Sequence, residues 1–118
     1  LWLISDEVYD TQLWDGEHIS PRALPNMAER TLVVGSMSKS HAMTGSRVGW
    51  VCGPKDVIEH LTNLATHTTY GVPGYIQDAA HFALGEGAYL EDAVSAPFAR
   101  RRQITETLLA TQNTGNFS

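Results

Sequence analysis

One short polar stretch holds most of the residues able to do chemistry: Ser36-Met37-Ser38-Lys39-Ser40-His41-Ala42-Met43-Thr44-Gly45-Ser46-Arg47-Val48-Gly49. Hydroxyls lie one and three residues before the lysine, and an arginine lies eight residues after it. Serine hydroxyls and a guanidinium that bonds through two N–H groups suit a phosphate dianion. A lysine amine beside them can form an imine with an aldehyde. The set therefore selects a ligand that carries both a phosphate and an aldehyde.

Pyridoxal phosphate presents that pair of groups, and its chemistry asks for more. A carboxylate against the pyridine nitrogen keeps it protonated, so that the ring accepts electrons from a substrate carbanion. A tyrosine hydroxyl near the ring oxygen adjusts the acidity of the imine. The segment Ser5-Asp6-Glu7-Val8-Tyr9 offers both groups, in Asp6 and Tyr9. Asp6 lies 33 residues before Lys39. Taken alone, an aspartate after a strand is commonly a turn former or cap, and the tyrosine a core aromatic. Glu7 is expected behind the contacting residues or at the surface, and Asp15-Gly16-Glu17-His18 as a surface turn without a catalytic part.

The elements that must position these groups are legible from apolar runs and breakers. Residues 1–4, Thr31 to Gly35 and Val48 to Cys52 are short apolar runs bounded by polar residues, which predicts buried strands of a parallel sheet. Residues 11–30 carry turn chemistry, and Ser36 to Ser46 read as a polar loop. At the carboxyl end of a parallel strand, such a loop faces a ligand crevice. Val57, Ile58, Leu61, Leu64 and Ala65 recur at helical spacing, so residues 54–66 are predicted helical, with Pro54 at the first helical position. Residues 75–84 read as a second helix. A longer one is predicted over 88–111, with Pro97 marking a kink and a frayed polar tail after it. Three strands followed by helices give an α/β protein, with too few strands for a doubly wound sheet. An opening of Leu1-Trp2-Leu3-Ile4 reads as the inside of a strand, so further chain is expected upstream.

Bulk composition narrows the function classes. The 118 residues are 42% hydrophobic and 18% charged, which fits a globular chain and argues against disorder. A net charge of −5 argues against a nucleic-acid surface, and Arg100, Arg101 and Arg102 fan around a helix as a solvated face. No stretch approaches the length of a membrane span. Cys52 stands alone in an apolar run and is expected as a buried, inert thiol. The five histidines show no metal-ligand spacing, so no metal site is expected. His41, two residues past the lysine, either tunes a pocket or packs.

The Ser36-to-Gly49 stretch resembles the Schiff-base signature of the class I/II aminotransferases of fold type I, with all the fixed positions of that pattern filled. The spacing of Asp6 and Tyr9 is similar to that family's segment. The resemblance spans nearly the whole chain and implies the following. The fold is part of a fold type I large domain, a three-layer α/β/α unit around a mostly parallel sheet, incomplete here. Residues 1–87 correspond to the carboxyl-terminal half of that domain, and residues 88–118 to the start of the helix leading to a small domain. The reaction is amino-group transfer between an amino acid and a 2-oxo acid, through a pyridoxal 5′-phosphate Schiff base on Lys39. Asp6 meets the pyridine nitrogen, Tyr9 the ring oxygen, and Ser36, Ser38 and Arg47 the phosphate. The whole protein is expected as a cytoplasmic homodimer without nucleic-acid or membrane partners. Tyr70, in the loop after the arginine's following helix, could reach a partner's site or simply pack. The glycine loop, the ring-stacking aromatic and the substrate-clamping arginine of the family have no counterparts here, so the substrate is not legible. The 118-residue chain by itself is expected to be inactive. The same motif also serves carbon–sulfur lyases and the effector-sensing domains of some transcription regulators, and both readings stay open at the level of sequence.

Overall fold

The computed structural model describes residues 1–112. Three strands form one sheet in the order β1 (Leu3–Asp6), β2 (Thr31–Ser36), β3 (Gly49–Cys52). β1 and β2 run parallel, in register from Leu3 opposite Thr31 to Asp6 opposite Val34. β2 and β3 run antiparallel, from Val33 opposite Cys52 to Ser36 opposite Gly49. The sheet is thus mixed, an antiparallel strand beside a parallel pair, an arrangement common in α/β proteins. The architecture is α/β, as the order of elements predicts.

The described residues form four α-helices, α1 (Met37–Ser40), α2 (Lys55–Thr68), α3 (Gly74–Gly85) and α4 (Ala88–Gln112), and the last three follow the sequence pattern closely. Two boundaries differ from expectation. The polar segment after β2 is not a plain loop, because Ser36 caps it: its backbone is extended and its hydroxyl accepts the Ser38 N–H, which starts α1. A 3-10 turn at Thr44–Ser46 completes the segment. Pro54 sits one position ahead of α2 as its cap, with an extended ψ of 141°. α4 continues through Pro97 without interruption. The predicted frayed tail beyond Gln112 lies outside the described residues.

The core is small and centres on the lysine segment. Met37 is fully buried against Ala80 and Ala83 of α3, with Met43, Val48 and Leu90 packed around it. Outside that cluster the apolar surface is open. β1 and β3, predicted as buried strands, are largely exposed, and Cys52 is a free, exposed thiol. The reason is geometric: β2 alone has a strand on each side, and an open cleft of about 470 Å³, lined by Val34, Trp50, Val51, Ile58 and Leu61 among others, separates the β2–β3 face from α2. A radius of gyration of 18.7 Å exceeds the roughly 13 Å of a compact domain this size. Among the described residues no helix is long and apolar enough to cross a membrane.

Candidate active site

Parallel pairing of β1 and β2 brings their carboxyl ends to one edge of the sheet, and the chemistry collects there. Asp6 is the last residue of β1, and Ser36 is the last of β2. The ladder runs one step past Asp6, because the Glu7 N–H donates to the Val34 carbonyl at 2.9 Å. Beyond it the chain turns tightly: Asp10 N–H donates to Glu7 O at 3.1 Å and Gln12 N–H to Tyr9 O at 2.9 Å. This turn carries Tyr9 toward α1, where the Lys39 amine stands 5.8 Å from the centroid of the Tyr9 ring. That separation lies within the range in which a cation feels an aromatic face.

The serines share a network. Ser36 Oγ accepts the Ser38 N–H at 3.1 Å, lies 2.9 Å from Ser38 Oγ, and is 3.1 Å from the Val48 carbonyl. A hydroxyl has one proton to give, so Ser36 donates to Val48 while Ser38 donates to Ser36. The Val48 carbonyl also accepts the Met37 N–H at 3.3 Å, which ties the residue after Arg47 to the start of α1.

Arg47 is held differently. Its backbone is left-handed, φ 53°, between the 3-10 turn and β3, and its exposed guanidinium donates to the Thr44 carbonyl at 3.2 Å. It bonds neither serine. Asp6 is exposed, and its carboxylate accepts the Val8 N–H at 3.3 Å, the turn-forming role that its position also allowed. The structure therefore brings Lys39 to Tyr9 and Ser36 to Ser38, sets Asp6 at the same sheet edge, and holds the Arg47 guanidinium on the Thr44 carbonyl, apart from the serines' bonds.

Residues outside the predicted set hold this arrangement. Glu7 is buried, not at the surface: its carboxylate accepts from His18 Nε2 at 2.9 Å and from the Ser20 hydroxyl at 2.7 Å. Burial alone would raise that carboxyl, but the bonds from His18, Ser20 and Ser5 and the charge of His18 together outweigh it, and the net direction is down. His18 remains exposed in the surface segment expected for it, and from there its ring bonds Glu7. Gln12 donates from its side-chain amide to the Lys39 carbonyl at 3.0 Å, and Thr44 donates to the Ser38 carbonyl at 3.0 Å. His41 packs: its side chain is buried, bonded to Ser40 Oγ at 2.8 Å and 3.9 Å from Glu91 of α4. Tyr70 is 84% exposed with a left-handed φ of 62°. Nothing in the spacing of Gln12 or Glu7 marks them; only the fold does.

A family model described as aminotransferase class I and II matches residues 1–117. An arginine–pyruvate transaminase of Pseudomonas aeruginosa is 53% identical over 110 residues, which cover 93% of this chain and 28% of that protein. An aspartate aminotransferase of Streptomyces avermitilis is 40% identical over 111 residues, 92% of this chain and 27% of that one. Among solved structures, a mutant aspartate aminotransferase of Thermus thermophilus superposes with a TM-score of 0.84 at 33% identity, over 94% of this chain and 30% of its own. The chain spans less than a third of the length of these relatives.

Proposed function

The chain belongs to the class I and II aminotransferase family, and from that premise we propose that the protein carrying it moves an amino group between an amino acid and a 2-oxo acid, with pyridoxal 5′-phosphate attached covalently to Lys39. The observation that carries this reading is the convergence at one sheet edge of an amine, a phenol, a carboxylate and two hydroxyls, with Lys39 Nζ 5.8 Å from the Tyr9 ring. That donor set fits the cofactor group by group. Lys39 is only partly buried, the Ser36 and Ser38 hydroxyls lie 2.9 Å apart, and the exposed guanidinium of Arg47 has donors to spare.

In this reading Ser36, Ser38 and Arg47 hold the phosphate, Asp6 bonds the pyridine nitrogen, and Tyr9 bonds the ring oxygen. When bound, the cofactor supplies an electron sink for the substrate's α-carbon. Lys39 would be the catalytic base, its Nζ holding and moving the proton of the substrate's α-carbon. Asp6 keeps its partner nitrogen protonated. Ser36, Ser38 and Arg47 would act by orientation, holding the group in one position beside Lys39.

Residues 1–87 are proposed as part of the cofactor-binding large domain and residues 88–118 as the start of the connection to a small domain; Gly87, with φ 62°, breaks the chain between α3 and α4. The reading extends to a cytoplasmic homodimer, in which the exposed Tyr70, Tyr75 and Phe82 supply apolar surface for a partner to cover. Arginine with pyruvate is the first substrate pair to test, because the 53% identical relative is named for it. The intact protein, loaded with pyridoxal phosphate, is expected to convert that or another amino acid and 2-oxo acid into the exchanged pair. Release of ammonia or a thiol, with no new amino acid formed, would contradict transamination and favour an eliminating enzyme.

A further inference from the structure

The last carbonyls of a helix have no partner within it, and in a helix as short as α1 they must find one elsewhere. Two belong to Ser38 and Lys39. Thr44 answers the first from within the same loop, donating to Ser38 O at 3.0 Å. Gln12 answers the second from a distant part of the chain, donating from Nε2 to Lys39 O at 3.0 Å. A carbonyl only accepts, so the amide nitrogen of Gln12 must face it.

Gln12 is not a loose surface side chain. Its own N–H donates to the Tyr9 carbonyl at 2.9 Å, so Gln12 and Tyr9 sit in one closed turn. The start of that turn is fastened in turn by the buried Glu7, held by His18 and Ser20. Ser20 also accepts the Arg22 N–H at 3.3 Å, and the Arg22 guanidinium donates to the Thr31 carbonyl at 2.9 Å, at the head of β2. The turn therefore grips Lys39 twice: the Tyr9 ring faces its amine, and Gln12 bonds its backbone.

We propose that Gln12 is a positioning residue for Lys39, fixing through the Lys39 carbonyl where the amine stands relative to the Tyr9 hydroxyl. It touches no reacting atom. The proposal rests on the reading of Lys39 as the cofactor lysine. Its consequence is spectroscopic: loss of the Gln12 bond changes how the Lys39 nitrogen and the Tyr9 phenol meet, and so the pH at which the bound chromophore titrates.

The test compares the intact protein with Gln12→Glu and Gln12→Ala. Gln12→Glu keeps the shape and, above pH 6, removes the donor; Gln12→Ala removes both. Pyridoxal phosphate is titrated in, and the visible band is followed against pH, beside thermal melts of each variant. Both variants are expected to move the band's midpoint by about half a pH unit or more and to weaken cofactor binding roughly five-fold, the worth of one neutral hydrogen bond. A lowered melting temperature with an unmoved midpoint would make Gln12 merely structural and overturn the proposal. So would a midpoint that moves in only one of the variants, which would report side-chain bulk or an added charge. If the unmutated protein shows no band, this proposal and the cofactor reading both fall; a band fixed on Lys39 with indifferent Gln12 variants sinks this proposal alone.

Discussion

Lys39 Nζ stands 5.8 Å from the centroid of the Tyr9 ring, although the two residues belong to segments separated by a long, nearly strandless connection. The parallel register of β1 and β2, Asp6 opposite Val34, brings them together. Tyr9 follows the end of one strand in a closed turn, and Lys39 follows the end of the other in a capped turn of helix. The site is a property of the sheet edge, and changes that disturb that edge should disturb cofactor binding.

The two serines should separate under mutation. Ser36 caps α1 and bonds the Val48 carbonyl, so Ser36→Ala is expected to cost about 1 kcal/mol of stability as well as cofactor affinity. Ser38 is a hydroxyl within α1 without a capping duty. Ser38→Ala, which loses the bond to Ser36 but no cap, is expected to cost about 0.5 kcal/mol and less than Ser36→Ala, while weakening pyridoxal phosphate binding. Thermal melts without cofactor and titrations with it check both halves.

Arg47 holds a left-handed φ of 53°, which costs a non-glycine residue about 1 kcal/mol or more. Arg47→Gly relieves that strain, but the greater freedom of glycine in the unfolded chain offsets it by a similar amount. Stability should therefore change by less than about 1 kcal/mol. Cofactor affinity should fall about ten-fold or more, because bonds from a guanidinium to phosphate are charge-assisted. A collapse in stability with affinity intact would remove Arg47 from the phosphate set.

Gly49 pairs with Ser36, and a Cβ built on it would lie 2.7 Å from the Gly35 carbonyl. Backbone cannot yield there as a flexible side chain would. Gly49→Ala is expected to destabilise by about 1–3 kcal/mol and to loosen the end of β2 that carries Ser36, read as a lowered melting temperature and weaker cofactor binding.

The Glu7 carboxyl is held below its ordinary value of about 4.5 in the folded protein. A depressed carboxyl contributes stability that is fully present above that value and is lost as pH falls through the folded one. Glu7→Gln, which cannot ionise, should therefore be less stable than the unmutated protein at pH 7. The difference should shrink once the pH drops below about 4.5. Paired denaturation curves at the two pH values measure it; a gap that grows on acidification contradicts the account.

Sequence alone shows the chemistry better than the burial. The lysine segment, Asp6 and Tyr9 stand out because the proposed cofactor would ask for those groups at those spacings, and the helices are legible because apolar residues recur on one face, as Val57, Ile58, Leu61 and Ala65 do in α2. Burial of β1, β3 and Cys52 is not, because an apolar run tells only that a strand can be covered, and in the described residues their faces are open. Gln12 and Glu7 escape a sequence reading for a different reason. Their partners lie across the fold: Gln12 bonds a carbonyl on α1, and Glu7 a histidine from a loop that reads as surface turn. The helical turn at α1 is hidden as well, since a serine-rich stretch reads as loop until Ser36 is seen to cap it. The open apolar faces also lead to an expectation for the 118-residue chain purified alone, namely no measurable transaminase turnover; robust turnover would show that the site is complete without further chain.

The most direct test is covalent. The intact protein and its Lys39→Ala variant are mixed with pyridoxal phosphate, their visible absorbance is recorded, and each is reduced with borohydride and peptide-mapped. The account predicts a visible band in the intact protein, fixed by reduction onto the peptide bearing Lys39 and absent from the variant. A protein without the band, or label on Lys55 in place of Lys39, would contradict it.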